Sequence, residues 1–153
     1  MTLKGQIRVR QYLIYLFCNT SILLVCAHLI YSSLLIGAAY VYSLSPGRVW
    51  QLDSRLITID ENPIHDGYEC GKSVDISSDG NTIAVGCPKA GVVFVFRRQG
   101  NVWIQQDYFT YEDFYSKQNA KLGESVAVQP GGSGYIITGY GVDREVFSYS
   151  KDC

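Results

Sequence analysis

The sequence predicts a mainly β fold, built from small antiparallel sheets repeated along the chain behind an N-terminal transmembrane helix. Three observations carry this. Between Gly71 and Phe109, short runs of alternating apolar and polar residues are separated by turn formers. The same pattern returns on either side at offsets of 52 to 54 residues. Residues 11–47 contain no Asp, Glu, Lys or Arg.

The chain begins with a basic head, residues 1–10, where Lys4, Arg8 and Arg10 supply a charge of +3. An apolar run follows, in which His28 is the one ionisable group besides tyrosines and cysteines. About twenty apolar residues cross a bilayer as a helix, and a basic head keeps the N-terminal side cytoplasmic. Residues 11–36 are therefore expected to be a transmembrane or signal-anchor segment. The β-body, residues 37–153, then lies on the extracellular or lumenal side. A cleaved signal peptide fits less well, because the apolar part is long and no small-x-small site closes it.

A competing reading makes residues 11–36 strands of a degenerate repeat, and the protein a soluble fragment. Asn19-Thr20-Ser21-Ile22-Leu23-Leu24-Val25-Cys26-Ala27 is similar to Asn81-Thr82-Ile83-Ala84-Val85-Gly86-Cys87, and the strand from Gly37 needs a partner beside it. Hydropathy favours the helix, which is the expectation carried forward. On that reading the sequon Asn19-Thr20-Ser21 lies in lipid.

In the body, Val74 and Ile76, then Ile83 and Val85, alternate with polar or small residues. Period two is a strand with one face buried. Asp79-Gly80-Asn81 between them supplies the positive-φ residues of a tight hairpin. Val92-Val93-Phe94-Val95-Phe96 reads as a third, more deeply buried strand, and Val102 to Gln106 opens a fourth. Four antiparallel strands in about forty residues is the size of one propeller blade. Tyr40 recurs as Phe94, Trp50 as Trp103, and Gly71-Lys72-Ser73-Val74 as Gly123-Glu124-Ser125-Val126. The chain thus holds about two to three blades, an incomplete ring, and is expected to be a fragment or a degraded member of a longer family.

These residues resemble the FG-GAP repeat, the blade of integrin α-subunit-like β-propellers. The likeness lies in Gly71-x-Ser73-Val74, Asp79-Gly80-Asn81, Val85-Gly86-Cys87-Pro88, Gly91 and Trp103, and it covers Gly37 to Ser150. It departs at Cys70 and Leu122, which stand where the family has Phe, and at Cys87, which stands for Ala. The resemblance implies a ring of about seven blades that binds other proteins on one face.

Charge and motifs narrow the function. A net charge of −1 gives nucleic-acid binding no electrostatic support. Asp75 to Ile83 is the nearest match to a calcium loop, yet only Asp75 and Asp79 offer carboxylates. Calcium needs more of them, so no cofactor is expected. The five cysteines include no CxxC pair, which argues against zinc. Five is odd, so an exported form would leave at least one thiol free or intermolecular, and buried apolar cysteines are the preferred reading. Gly131-Gly132-Ser133-Gly134 opens no helix and cradles no phosphate.

No residues assemble into a catalytic constellation, so the expectation is a non-catalytic, membrane-anchored interaction module rather than an enzyme. It would bind a protein or glycan through loops at one end of the blades. Asn62, His65, Asp66 and Tyr68 in one loop, with Tyr111 and Tyr115 in the next, are the candidate contacts. The alternative is an assembly protein whose strand edges self-associate to complete a ring. A hydrolase using His65 ranks last.

Overall fold

The structure, a computed structural model, describes residues 15–18, 22–31, 34–56, 69–110, 122–129, 136–139 and 146–149. These residues form three antiparallel sheets. The first contains β1 (Tyr15–Cys18), β2 (Ile22–Tyr31), β3 (Leu34–Leu44) and β4 (Trp50–Leu56) in that order. The second contains β5 (Ser73–Ile76), β6 (Thr82–Cys87), β7 (Val92–Gln99) and β8 (Val102–Thr110), again in chain order. The third contains β9 (Ser125–Val128), β10 (Ile136–Gly139) and β11 (Val146–Tyr149).

The expected transmembrane helix is corrected. Strands β1 and β2 and the start of β3 occupy most of residues 11–36, with β2 paired to β3 from Ile22↔Ser43 to Tyr31↔Leu34. No helix among the described residues is long and apolar enough to cross a membrane. A membrane helix and a β-strand can draw on the same kind of apolar run. Here the strand wins, because β3 needs β2 along its length to satisfy its backbone groups. β3 also begins at Leu34, so the boundary expected at residue 37 falls inside a strand. The basic head, residues 1–10, lies outside the described residues.

Internal repetition is visible in the backbone itself. A register shift falls between Val41 and Tyr42 in the β3–β4 pair, and its counterpart falls between Val95 and Phe96 in the β7–β8 pair. Such bulges bend and twist a strand pair. Their equivalent placement gives both outer hairpins the same shape. The Asp79-Gly80-Asn81 turn is the expected tight hairpin, with Gly80 at φ 71°. Asp79 accepts from the Ser77 hydroxyl and from the Asn81 backbone N–H at 3.1 Å.

Two cores hold the sheets together. Ile83, Val85, Phe94, Phe96 and Trp103 of the second sheet pack with Ile22, Val41 and Leu56 of the first. Ala84, Val93, Val95 and Phe109 pack with Leu122, Val126 and Val128 beside the third. Every residue of β6 is buried. The alternation in the sequence predicts one buried face, but the second sheet is covered on both. Small Ala84 and Gly86 serve the third-sheet side, and the larger residues serve the first.

Candidate functional site

Strand directions bring several connections to one end of the second sheet. Ser73 opens β5 opposite Gly86, near the end of β6. Val92 opens β7 opposite Thr110, the end of β8. Glu69, Lys72 and Lys89 therefore lie at this end, as does Thr110, the last residue of β8.

The seam with the third sheet is built from small residues. A β-carbon on Gly86 would overlap the Gly123 carbonyl oxygen and Ser73 Oγ, and would lie 2.9 Å from the Gly123 carbonyl carbon. A β-carbon on Gly123 would sit 2.8 Å from the Cys87 nitrogen, and its φ of 89° already favours glycine. With nothing between the backbones, the buried Ser73 hydroxyl donates to the Gly123 carbonyl at 2.6 Å. Further along, the Val128 N–H donates to Asp75 Oδ2 at 2.7 Å.

Four charges stand above this seam. Lys72 Nζ lies 2.8 Å from Glu124 Oε1 across the seam and 3.5 Å from Glu69 Oε2. Lys89 Nζ lies 2.9 Å from Glu69 Oε1. Glu69 adopts φ 51°, a left-handed conformation uncommon for a residue with a side chain. Its carbonyl accepts from the Lys72 N–H at 3.1 Å, closing the turn that aims both side chains at this point. The neighbouring Cys70 and Cys87 are buried, as expected of apolar cysteines, but they are bonded to each other in a disulfide.

Electrostatics favour the charged forms of Glu69 and Lys72. Burial alone would raise the Glu69 carboxyl, but the Lys89 hydrogen bond and the charge of Lys72 outweigh it and hold the carboxyl below its ordinary value. The Glu124 hydrogen bond raises the Lys72 ammonium, with burial opposing and the Glu69 charge assisting. A depressed carboxyl contributes stability above its unfolded pKa and loses it as pH falls through the folded value. A raised ammonium contributes below its unfolded pKa and loses it as pH rises through the folded one. Acid denaturation of Glu69→Gln should therefore be shallower below pH 4.5, the ordinary carboxyl value. Its stability above pH 5 should be lower than that of the parent. Urea titrations across pH 2 to 8 check this, and parallel curves would remove Glu69 from the account.

The six contact residues expected from sequence, Asn62, His65, Asp66, Tyr68, Tyr111 and Tyr115, lie outside the described residues. Their segments join the described chain at Glu69 and Thr110, both at the charged end. The Glu69–Lys72–Lys89–Glu124 group is not among the expected residues. One signal pointed to it: Lys72 and Glu124 occupy equivalent places in Gly71-x-Ser73 and Gly123-x-Ser125 with opposite charge. Among the described residues no cluster of metal ligands forms.

No family model matches the chain, and no curated protein matches it. The resemblance to the FG-GAP repeat is therefore corrected. Six chains of solved structures do match. One is a candidate 6-phosphogluconolactonase from Bacteroides uniformis, at 12% identity and a TM-score of 0.51. The match covers 89% of this chain and spans 40% of the neighbour's length. The fold is what this likeness establishes. It also corrects the expectations of a non-catalytic interaction module, of a strand-edge assembly protein and of a chain that is no enzyme. The first leaned in part on the FG-GAP likeness, the second on the exposed edges of an incomplete ring, and the third on the lack of a catalytic constellation in the sequence; the architecture actually matched occurs in a candidate enzyme.

Proposed function

We propose that the chain is a segment of a β-propeller hydrolase that opens sugar lactones bearing an anionic group. The site is the end of the second and third sheets where Glu69, Lys72, Lys89 and Glu124 meet. The observation that carries this is the Lys72–Glu124 pair, which places opposite charges of two consecutive repeats within 2.8 Å at the mouth of their seam. Support for the propeller comes from three consecutive antiparallel sheets stacked face to face and from side-chain bonds between sheets at separations of 50, 52 and 53 residues.

Lactone hydrolysis asks little of a protein beyond placed charge. Water adds to the ring carbonyl, the ring C–O bond breaks, and a hydroxy acid leaves. A cation near the carbonyl oxygen stabilises the oxyanion, and a carboxylate accepts the proton of water. Lys72 is assigned to the oxyanion and Lys89 to the anionic group of the substrate. Glu124, the more exposed carboxylate, with a side chain 33% accessible against 17% for Glu69, is assigned to the water. Glu69 fixes both lysines.

The test is acid release from 6-phosphogluconolactone by the full chain in a pH-stat. A rate above the spontaneous one is expected, falling about a hundredfold or more in Lys72→Ala, as for loss of one oxyanion donor. A rate equal to the buffer blank, from protein with an intact β signal in circular dichroism, overturns the reading.

A further inference from the structure

The proposed site needs a fixed distance between Lys72 and Glu124, and the pair cannot fix it alone. The two residues end equivalent turns, Cys70-Gly71-Lys72 before β5 and Leu122-Gly123-Glu124 before β9. Those strands belong to different sheets. The Lys72 and Glu124 side chains are 39% and 33% exposed. An ion pair this open to water contributes little net attraction, so a contact beneath it must set the spacing.

That contact is a single buried hydroxyl. Ser73 directly follows Lys72, and Gly123 directly precedes Glu124. Ser73 Oγ donates to the Gly123 carbonyl at 2.6 Å, so the neighbour of one charge is bonded to the neighbour of the other. Ser73 is itself fixed within the second sheet, because it pairs with Gly86, whose carbonyl accepts from the Gly71 N–H at 3.0 Å. A serine hydroxyl has one proton to give. With that proton on the Gly123 carbonyl and its oxygen buried, Ser73 is placed to hold the seam and not to attack a substrate.

The repeat supplies a contrast. Ser125 stands at the equivalent place, the first residue of β9, and is exposed, whereas Ser73 is buried. The strand alone therefore does not bury a serine here. Ser73 is buried because the Gly123 turn lies against it, and that approach depends on the missing β-carbons of Gly86 and Gly123.

We infer that Ser73 is a positioning residue of the lactone site: through the Gly123 carbonyl it holds the Glu124 turn against Lys72, and so sets the distance between the oxyanion donor and the carboxylate that takes the proton of water. Its part in turnover rests on the lactonase reading, whereas the spacing it sets does not. Without the hydroxyl all four charged side chains remain, but those of the two sheets are free to part. Glu69 and Lys89 both belong to turns of the second sheet, so the grip on the anionic group does not depend on the seam. The loss should fall on kcat and spare KM, since a misplacement of about 1 Å costs on the order of a hundredfold in rate.

Ser73→Ala in the full chain tests this with two readouts. The first is an NMR titration of the lysine side chains. In the parent the Glu124 hydrogen bond raises the Lys72 ammonium above 10.5, and in the variant it should fall back toward that value. The second is steady-state hydrolysis of 6-phosphogluconolactone, where kcat should drop about a hundredfold with KM within about twofold. A lower urea midpoint with both the Lys72 titration and kcat unchanged marks a merely structural bond and overturns the inference. A rise in KM with kcat unchanged also overturns it. If the parent shows no turnover, the lactonase reading fails and the catalytic part of the role with it. A lowered Lys72 titration would then still establish that Ser73 sets the spacing, and an unmoved one would overturn that as well. Ser73→Cys, which nearly keeps the side-chain volume and donates weakly, takes the place of the alanine chain if that chain does not fold. Loss of the β signal in both variants assigns the bond to folding alone and overturns the inference.

Discussion

A Gly86→Val chain should lose about 3 kcal/mol of stability or more, the upper part of the range for overpacking a close-fitted interior. The reason is specific to the seam. The new β-carbon would occupy the place of the Gly123 carbonyl oxygen and Ser73 Oγ, and backbone cannot swing aside as a side-chain tip can. Relief requires the third sheet to move off the second. That movement breaks the buried Ser73–Gly123 hydrogen bond and pulls Asp75 from the Val128 N–H. A buried carbonyl left without its donor costs a further 1 to 3 kcal/mol by the usual range, so roughly the whole stability of a small domain is at stake. Urea denaturation of Gly86→Val and Gly86→Ala against the parent measures this. Valine at the parent's midpoint would show that the sheets do not meet at Gly86. At Gly80 the constraint is different: a β-carbon meets only the flexible Ile22 side-chain end, at 3.0 Å, but the φ of 71° itself disfavours a side chain.

The repeat was legible because it is written in residues with distinct shapes. Trp50 and Trp103, Tyr40 and Phe94, and the Gly-x-Ser triplets at Gly71 and Gly123 recur in order. Each marks a strand or turn that the structure places equivalently. The helix expectation failed for a physical reason. Residues 22–31 read Ile-Leu-Leu-Val-Cys-Ala-His-Leu-Ile-Tyr, and a run of this kind suits a membrane helix and a β-strand alike. Periodicity cannot separate them. Continuity could: β3 pairs with β4 through the same bulge that joins β7 to β8, so the partner on its other edge had to be a strand.

The charged site was harder to see. Glu69, Lys72, Lys89 and Glu124 each sit in a turn-rich segment, where the ordinary reading is solvated loop charge. Only the pairing of Ser73 with Gly86 carries the Glu69 turn to the Lys89 turn, and only the glycine contact brings Glu124 to Lys72. Neither can be computed from spacing alone. Cys70 and Cys87 carried no spacing signal in the sequence, being 17 residues apart. The β5–β6 pairing carries them to one joint, and there they bond to each other.

That bond supplies the second large effect. Cys70→Ala/Cys87→Ala should lower stability by about 3 kcal/mol, the value for a closed loop of this length in the chain-entropy account. The loop contains β5 and β6 and spans 17 residues. The cysteines are 5% and 0% exposed, so reductant reaches them only when this end opens. The effect should therefore be slow to appear in the folded chain treated with a dithiol, and immediate in the double variant. The bond also ties together the two turns that hold Glu69 and Lys89, so the pH response of the Glu69 pair should weaken along with stability. Mass-spectrometric counting of blocked thiols, paired with urea titrations, decides it. An oxidised chain with both thiols free, or a double variant as stable as the parent, would remove the staple from the account. The same measurement bears on where the chain folds. In a reducing cytosol the protein would lack this contribution, whereas an exported β-body would keep it.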